Sequence, residues 1–225
     1  MTEIVFITDI HGKFDTVYEI FNRENPDYVF IGGDITDLGQ PLDGVIPFME
    51  DIPAPTFVIP GNCDRRDILT VLEASDAIPI HRKSIDLGKL TISGIGGSNA
   101  TPFSTPFEHT EEELTAIVKE VAAKTGKNRW NILITHAPPF GALDEVAPDV
   151  HVGAFPIAKI VKDFDIICCG HIHEQKGVCE LEKRICVNPG PAYEGNYALI
   201  TLDEEEDEPK IVLKNIRDPI EVTEE

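Results

Sequence analysis

The sequence predicts an α/β fold in which two β-sheets pack face to face with helices outside them. In the first half of the chain, short apolar runs alternate with helical patterns, and this β-α-β alternation implies parallel strands covered by helices. In the second half, apolar strands follow one another with few helices between them, which favours a mixed or antiparallel sheet. With 225 residues and 42% apolar content, residues 1–225 are expected to form a single domain.

Hydrophobic periodicity gives the individual elements in order. Strands are expected at residues 3–8, 28–31, 56–59, 82–86, 89–94, 130–134, 166–169, 183–187, 197–202 and 210–214. Helices are expected at residues 15–23, 65–73, 111–125 and 156–164. Leu87-Gly88 predicts a hairpin turn, and Asp15 and Asp64 are candidate helix N-caps.

Residues 96–110 form a long irregular segment rich in Gly, Ser, Thr and Pro. Loops of this length are usually functional or mobile, so the segment is a candidate lid. Phe103 and Phe107 would then contact a base or an aromatic leaving group. The preferred interpretation of the two rings is that they pack beneath the loop and need no ligand.

The chain is strongly acidic, with 19 Lys and Arg against 40 Asp and Glu and a formal charge of −21. Such a field repels phosphate backbones and anionic lipid, which disfavours duplex nucleic acid and membranes as partners. The acidic segment at about residues 203–225 is expected to lie partly outside the core.

The sequence also predicts a cytoplasmic location. The apolar run at residues 4–7 is too short for a signal peptide, and no run approaches the roughly 20 apolar residues of a membrane span. The five cysteines form neither a C-x-x-C pair nor an even disulfide framework. All except Cys63 are expected to be small buried hydrophobic residues.

Five short polar segments carry the chemical information, and each follows an apolar strand-like run. Their donor residues are Asp9, His11, Asp34, Asn62, His136, His171 and His173. Carboxylate, amide and imidazole donors in this mixture suit two divalent cations side by side better than a structural zinc site. In an extended backbone, donors two residues apart project to one side, and ligands gather where parallel strands end. We therefore expect the seven donors to converge and support metal-assisted hydrolysis.

The ordered motifs D-x-H, G-G-D, G-N-x-D, a lone His after a strand, and G-H-x-H resemble those of the calcineurin-like metallophosphoesterase superfamily. The resemblance extends from residue 3 to about residue 191. It implies a four-layer α/β/β/α sandwich of two mixed β-sheets flanked by helices, with a dinuclear metal site. By this resemblance, one metal is held by Asp9, His11 and His173, the other by Asn62, His136 and His171, and Asp34 bridges them.

The resemblance implies a metal-dependent phosphoesterase with a small phosphoester substrate. Two cations ~4 Å apart neutralise developing charge and lower the pKa of a bridging water, so that hydroxide attacks phosphorus. Asp34, Asn62 and His136 are then catalytic residues as well as ligands. The donor set does not choose between manganese, iron, zinc and nickel, although manganese is favoured. The oligomeric state stays open, and a homo-oligomer is one alternative.

Cys63 is the one departure from the pattern. Many relatives have His at this position, which donates a proton to the leaving alkoxide and is oriented by the next acid, here Asp64. A thiol with a reference pKa of ~8.5 is a poor substitute. Relatives with Cys here look more like phosphodiesterases, so a phosphodiesterase acting on small organic or nucleotide-like esters is preferred. A packing role for Cys63 is an equal alternative.

Two other functions compete with this interpretation. In a phosphomonoesterase or nucleotide pyrophosphohydrolase, a loop histidine, His151 or His109, would supply the missing acid. In a scaffold protein of the same fold, the metal site would be present without catalysis. All seven donors are present, which favours an enzyme over a scaffold.

Overall fold

The structure is a computed structural model that describes residues 1–126 and 128–219. Its strands are β1 (Thr2–Ile7), β2 (Tyr28–Ile31), β3 (Thr56–Val58), β4 (Ile78–Pro79), β5 (Ser84–Asp86), β6 (Leu90–Ile95), β7 (Ser98–Asn99), β8 (Glu108–His109), β9 (Trp130–Thr135), β10 (Glu145–Ala147), β11 (Val150–His151), β12 (Ile166–Cys168), β13 (Gly177–Leu181), β14 (Arg184–Asn188), β15 (Asn196–Leu202) and β16 (Lys210–Asn215). Its α-helices are α1 (Phe14–Phe21), α2 (Val45–Glu50), α3 (Ile68–Glu73), α4 (Glu111–Ala122) and α5 (Phe155–Ala158). Short 3-10 helices lie at Val161–Asp163, His173–Gln175 and Ala192–Glu194.

Two six-stranded mixed sheets form the centre of the described chain. The first has the order β16-β15-β1-β2-β3-β4. Strands β1 to β4 are parallel to one another, β15 is antiparallel to β1, and β16 is antiparallel to β15. The second has the order β13-β14-β12-β9-β6-β5, in which the four inner strands are parallel and both edge strands are antiparallel. Each sheet therefore places the carboxyl ends of its parallel strands at one edge.

Three apolar clusters fill the spaces between the helices and the two sheets, and strand β1 contributes to two of them. Val5 and Ile7 pack beneath the helices on the outer face of the first sheet, whereas Ile4 and Phe6 pack against the second sheet. A third cluster joins the outer face of the second sheet to α4 and α5. Strands buried on both faces read as continuous apolar runs rather than alternating ones. The layers confirm the predicted four-layer α/β/β/α sandwich.

The predicted long strands are all present, but short or exposed elements were missed. These are α2, β4, β7, β8, β10, β11 and β13. The apolar stripe of β13 is only two residues long, Cys179 and Leu181, and the strand lies at a sheet edge with Val178 exposed on its other face. Helix α2 contains Pro47, which the first turn of a helix tolerates. The predicted helix at residues 156–164 is split into α5 and a 3-10 helix.

Both predicted N-caps are wrong. Asp15 lies within the first turn of α1, and the residue at the N-cap position is Lys13. Helix α3 begins at Ile68, after Asp67, so Asp64 lies outside it. The Leu87-Gly88 turn, in contrast, joins β5 to β6 as predicted.

The predicted lid at residues 96–110 is tied to the body of the protein. Strand β7 pairs with β8 within it, and the Phe107 side chain is buried with the guanidinium of Arg66 4.4 Å from its ring centre. The preferred packing role is therefore confirmed for Phe107, and the hypothesis that this ring belongs to a substrate-contacting lid is wrong. Phe103 is 80% exposed, as a lid residue would be.

The acidic C-terminal segment is only partly described. Residues 203–209 connect β15 to the edge strand β16, and Lys89 forms an ion pair with Glu204 in this connection. Residues 220–225 of the predicted acidic tail lie outside the described residues. None of the helices in the described part of the chain has the length and apolar character needed to cross a bilayer.

His81 is expected to make folding stability depend on pH. Its Nδ1 accepts a hydrogen bond from Gly96 N, and burial, followed by the nearby His109, lowers its pKa from 6.5 to about 3. The folded state thus binds fewer protons than the unfolded state, and stability is lost as pH falls below 6.5. Between pH 7 and pH 5 this group should cost about 2 kcal/mol of unfolding free energy.

Urea unfolding at the two pH values would measure this cost. His81→Gln removes the titrating ring but keeps an acceptor, so it should flatten the decline. His151→Gln alters a histidine on a more exposed strand and should not flatten it. A decline of unchanged size in His81→Gln would contradict the assignment.

Candidate metal centre

The five polar segments converge at the carboxyl ends of strands from both sheets. Those after β1, β2 and β3 carry Asp9, His11, Asp34 and Asn62, and those after β9 and β12 carry His136, His171 and His173. Ligand atoms of Asp9, His11 and His173 lie within 4.8 Å of one another, as do those of Asp9, Asp34 and His136. The His171 ring is 5.1 Å from that of His136. The structure thus brings all seven predicted donors together.

The backbone at these residues is not extended. Asp9, His11, Asp34 and His171 have φ values of 56°, 47°, 49° and 70°, in the left-handed region that non-glycine residues seldom adopt. Each such residue costs about 1–3 kcal/mol and persists only where its surroundings hold it. The prediction of extended backbone here was therefore wrong, although its outcome, convergence of each pair on one region, agrees with the structure.

Two interlocked turns hold this strained backbone. Asp9 N donates to Gly33 O at 2.9 Å, and the amides of Ile10 and His11 both donate to Asp34 O at 2.9 and 2.8 Å. The turn after β1 is thereby bonded directly to the turn after β2. Neither can relax to ordinary dihedral angles without breaking these bonds.

Two motif glycines are required by close approach of carboxylates. A Cβ on Gly61 would lie 2.0 Å from Asp34 Oδ1, and a Cβ on Gly170 would lie 2.5 Å from Asp9 Oδ2. Both distances are far below van der Waals contact. The glycines of G-N-x-D and G-H-x-H therefore make room for the carboxylates of neighbouring segments.

Asp34 lies between the two groups of donors. Its Oδ1 accepts a 2.7 Å hydrogen bond from Cys63 N and is 3.4 Å from His136 Nε2. Its Oδ2 is 3.6 Å from His11 Nε2. Each carboxylate oxygen thus faces a different imidazole, which is the arrangement that a bridging ligand needs.

A chain of hydrogen bonds fixes the orientation of the Asn62 amide. The Glu108 carboxylate can only accept, so the Thr105 hydroxyl, 2.6 Å away, donates to it. The same hydroxyl accepts from Asn62 Nδ2 at 3.0 Å. This leaves Asn62 Oδ1 facing His136 Nε2 at 2.8 Å.

Two acceptor atoms, His136 Nε2 and Asn62 Oδ1, face each other. Because His136 Nδ1 lies 2.8 Å from the carbonyl oxygen of Gly32, Nδ1 carries a proton, and in the tautomer that binds a metal Nε2 presents its lone pair. A lone pair that faces an amide oxygen calls for a cation between or beside them. A hydrogen bond from the other ring nitrogen to a backbone carbonyl is also what commonly orients a metal-binding histidine.

Two buried polar atoms lack partners at the same place. Asp9 Oδ1 and His11 Nε2 are buried and have no hydrogen-bond partner among the described residues. Buried polar atoms are nearly always paired in native proteins, so both atoms call for a ligand. The residues present therefore fit divalent cations.

The charge states of the donors also suit cations. Burial acts to raise the pKa of Asp9, but the His173 imidazole, whose Nε2 lies 3.3 Å from Asp9 Oδ1, and the other nearby imidazoles outweigh it and lower this pKa, which keeps the carboxylate ionised. Burial, followed by the neighbouring His136, lowers the pKa of His171 to about 4. Its imidazole is therefore neutral near pH 7 and has a lone pair available.

Asp64 holds two turns together. It is fully buried, and its carboxylate accepts hydrogen bonds from Gly61 N, Ile35 N, and both the amide and hydroxyl of Thr36. These contacts join the turn after β3 to the turn after β2. The carboxylate was predicted to orient residue 63, but its hydrogen bonds go to these other groups.

Cys63 is half-buried at the edge of the donor cluster. Its thiol forms one of the close donor groups with His11 and Asp34. Burial, followed by the charge of Asp34, raises the pKa of the Cys63 thiol. The thiol is therefore a weaker acid here than in solution.

The two candidate loop histidines differ. His151 Nδ1 lies 2.7 Å from Oδ1 of the buried Asp144, and this hydrogen bond raises the pKa of His151. Asp144 Oδ2 accepts from Gly141 N and Gly153 N, so the carboxylate is firmly placed. Strand β10, which pairs with the strand of His151, packs against the 3-10 helix His173–Gln175.

His109 is not a loop residue that could close over the site. Its side chain is buried, with Nε2 2.9 Å from Gly96 O and its ring stacked on His81 at 5.9 Å. The prediction that it could supply an acid is wrong, because β8 places it in the protein interior.

Sequence reasoning missed three residues that support the donors. Thr105 and Glu108 orient Asn62, and the Tyr193 hydroxyl lies 3.3 Å from His173 Nδ1. The Tyr193 ring also packs edge-on against His11. The only sequence signal was position, since Tyr193 closely follows the Asn-Pro-Gly turn after β14 and Thr105 lies in the long segment beside the site.

Comparison with known proteins identifies the family. A model of the calcineurin-like phosphoesterases matches residues 2–175, so the chain belongs to this family of metal-dependent phosphoric ester hydrolases. An uncharacterized protein of Methanocaldococcus jannaschii is 35% identical over 216 residues, which cover 90% of this chain and 96% of that protein. The family resemblance of the motifs is therefore confirmed.

Solved structures share the fold. The crystal structure of a Thermus thermophilus protein matches with a TM-score of 0.69 and 18% identity, covering 96% of this chain and 99% of that one. A predicted phosphoesterase from Streptococcus pneumoniae matches with a TM-score of 0.51 and 17% identity, covering 97% and 92%. Both similarities support the four-layer architecture.

Removal of the Thr105 hydroxyl should weaken cation binding through Asn62. In Thr105→Val the amide loses the partner that fixes its orientation, and loss of such a hydrogen bond behind a ligand typically costs about 10- to 100-fold in metal affinity. Titration calorimetry with Mn²⁺ would measure the loss. Thr101→Val is the matched control, because the Thr101 hydroxyl bonds the same Glu108 carboxylate and should leave affinity nearly unchanged. Equal affinity in both variants would contradict this role.

Proposed function

We propose that the protein is a dinuclear metal-dependent phosphodiesterase that hydrolyses small organic or nucleotide-like phosphodiesters. The observation that carries the proposal is the position of Asp34, whose two carboxylate oxygens face imidazoles from two separate donor groups. Family membership supports phosphoric ester hydrolysis in general. The preference for diesters rests on Cys63, which occupies the position expected of a proton-donating histidine.

In this proposal the donors divide into two sets. Asp9, His11 and His173 would hold one cation, Asn62, His136 and His171 the other, and Asp34 both, with manganese the favoured metal. Two bound cations supply Lewis acidity that neutralises charge on the phosphoryl oxygens and lowers the pKa of a water molecule. The chain itself contributes the neutral His171 imidazole, the ionised Asp9 carboxylate and the fixed Asn62 amide, so these donors are organised before substrate arrives.

The net charge supports a small substrate. A chain with a formal charge of −21 repels long phosphate backbones, whereas a single ester can be held by the cations alone. The five free cysteines among the described residues support a reducing compartment, and we propose the cytoplasm.

One observation favours a second candidate, a phosphomonoesterase or nucleotide pyrophosphohydrolase. His151 is held by the buried Asp144, and the hydrogen bond that raises its pKa keeps the ring protonated to higher pH. A protonated imidazole can donate Nε2–H to a leaving oxygen. In such an enzyme, His151 would be the general acid, because the raised pKa of Cys63 makes its thiol a poor proton donor.

Asp34→Asn should lower both metal content and turnover. The substitution keeps an oxygen for the Cys63 amide but removes the negative charge that the two cations would share. The loss of metal affinity and of turnover should therefore exceed the roughly 10- to 100-fold that is typical when a residue hydrogen-bonded to a ligand is changed. Metal analysis of purified protein and manganese-supplemented hydrolysis of an aryl diester would measure it. Asp37→Asn is the control, since Asp37 is an exposed acid 3.9 Å from the same His11. Full activity of Asp34→Asn with two bound ions would refute the bridging role.

His151→Gln separates the two candidate functions. If His151 donates a proton to the leaving group, kcat/KM for alkyl diesters and monoesters should fall about 10²-fold, while aryl diesters, which need no proton, should change little. Asp144→Asn should show the same selectivity in weaker form. If all esters respond equally, His151 supports structure or binding. If none responds, the phosphodiesterase without a general acid is favoured.

A further inference from the structure

The hairpin of β13 and β14 at the edge of the second sheet places two cysteines opposite each other. Its turn residues, Glu182 and Lys183, both have positive φ values, 52° and 64°, the conformation of a two-residue type I′ turn. Such a turn fixes the register of the strands. In that register Cys179 pairs directly with Cys186, and both side chains face the apolar cluster beneath α5.

The pair lies within reach of a covalent link. Residues directly opposite in an antiparallel ladder have Cα atoms about 4.5 or 5.5 Å apart, and both values fall within the roughly 4.4–6.8 Å range of disulfides. Cβ atoms of opposite residues are about 4.5–5.5 Å apart, so closure needs an approach of about 1 Å. Strand β13 can supply this movement because it is paired on one side only.

The two thiols differ in access and reactivity. Cys179 is half-buried and Cys186 is buried, so a reagent reaches Cys179 first. The facing Cys186 thiol lowers the pKa of Cys179, which favours the thiolate that reacts. Cys168 and Cys169, the other cysteines of this sheet, are fully buried on β12 and after it.

We propose that Cys179 and Cys186 are a redox modification site that forms a reversible cross-strand disulfide with hydroperoxides. The Cys179 thiolate attacks a peroxide oxygen, and the S–O bond forms as the O–O bond breaks. The leaving hydroxide or alkoxide takes up the proton that the thiol released, which gives water or an alcohol and a Cys179 sulfenic acid. The Cys186 sulfur then attacks the sulfenic sulfur, the S–S bond forms, and water leaves. The two thiols lose two electrons, which reduce one peroxide.

Strand β14 connects the cysteine pair to the donor segment after β12. Strand β14 ends at Asn188, whose side-chain amide donates to Ile172 O at 2.9 Å, between His171 and His173. Val187 O accepts from Cys169 N at 2.9 Å in the same region. The hairpin that carries the cysteine pair is thus bonded to the segment that carries two donors.

Peptide mapping of the folded full-length chain tests the proposal. After treatment with stoichiometric hydrogen peroxide and alkylation, free thiols counted in denaturant should fall from five to three, and dithiothreitol should restore five. Trypsin separates the cysteines, since residues 177–183 carry Cys179, 185–210 carry Cys186 and 163–176 carry Cys168 and Cys169. The expected product joins the first two peptides.

Variants distinguish this pair from the other thiols. Cys168→Ser, at a buried position facing the other core, should still yield the linked peptide, whereas Cys179→Ser and Cys186→Ser should not. A linked peptide that contains Cys169 or Cys63 instead would overturn the proposal. So would five free thiols in folded wild-type protein after peroxide treatment, a result that requires no variant to fold.

Discussion

The backbone hydrogen bonds between the turn after β1 and the turn after β2 are the constraint on which the rest of the site depends. Asp9, His11 and Asp34 adopt left-handed backbone that would relax in a free loop. The amides of the first turn bond to Gly33 O and Asp34 O, so each turn holds the other. Without this mutual support the two turns would relax toward ordinary dihedral angles, and the donors would lose their placement.

Asp64 extends the same support to the third segment. Its buried carboxylate joins the turn after β3 to the turn after β2 through four hydrogen bonds. From there Asn62 is held by Thr105 and Glu108, which belong to a segment that crosses beside the site. The donors are therefore positioned by a continuous set of hydrogen bonds rather than by packing alone. Two cations held close together repel each other. A site that binds both must therefore hold its ligands in place before the cations bind.

The parts of this arrangement that could be read from the sequence are those set by strong periodicity or by chemistry. The buried parallel strands appear as continuous apolar runs, and the seven donors stand out because each follows such a run. The conformation of Asp9 and His11 could not be read, because the interlocking bonds join residues 9–11 to 33–34 and leave no local signal. The same holds for Asp64, whose partners Ile35 and Thr36 lie in a different turn, and for Phe107, whose burial depends on Arg66 and on the pairing of β7 with β8.

Edge elements were missed for a different physical reason. Strand β13 has one neighbour and an exposed Val178, so its apolar pattern is reduced to Cys179 and Leu181. Its pairing with β14 is specified by two turn residues in left-handed conformation, and neither is a glycine or asparagine. Hydrophobic periodicity therefore seldom predicts a strand that is held only by its turn and by one neighbouring strand.

Each proposed cation draws its donors from both sheets, and this has a mechanical consequence. The first set combines Asp9 and His11 from one sheet with His173 from the other, and the second combines Asn62 with His136 and His171. The spacing between donors is then set by the apolar side chains sandwiched between the sheets, such as Phe6 and Ile134. The volume of this central core therefore sets how closely the two proposed ions can be held.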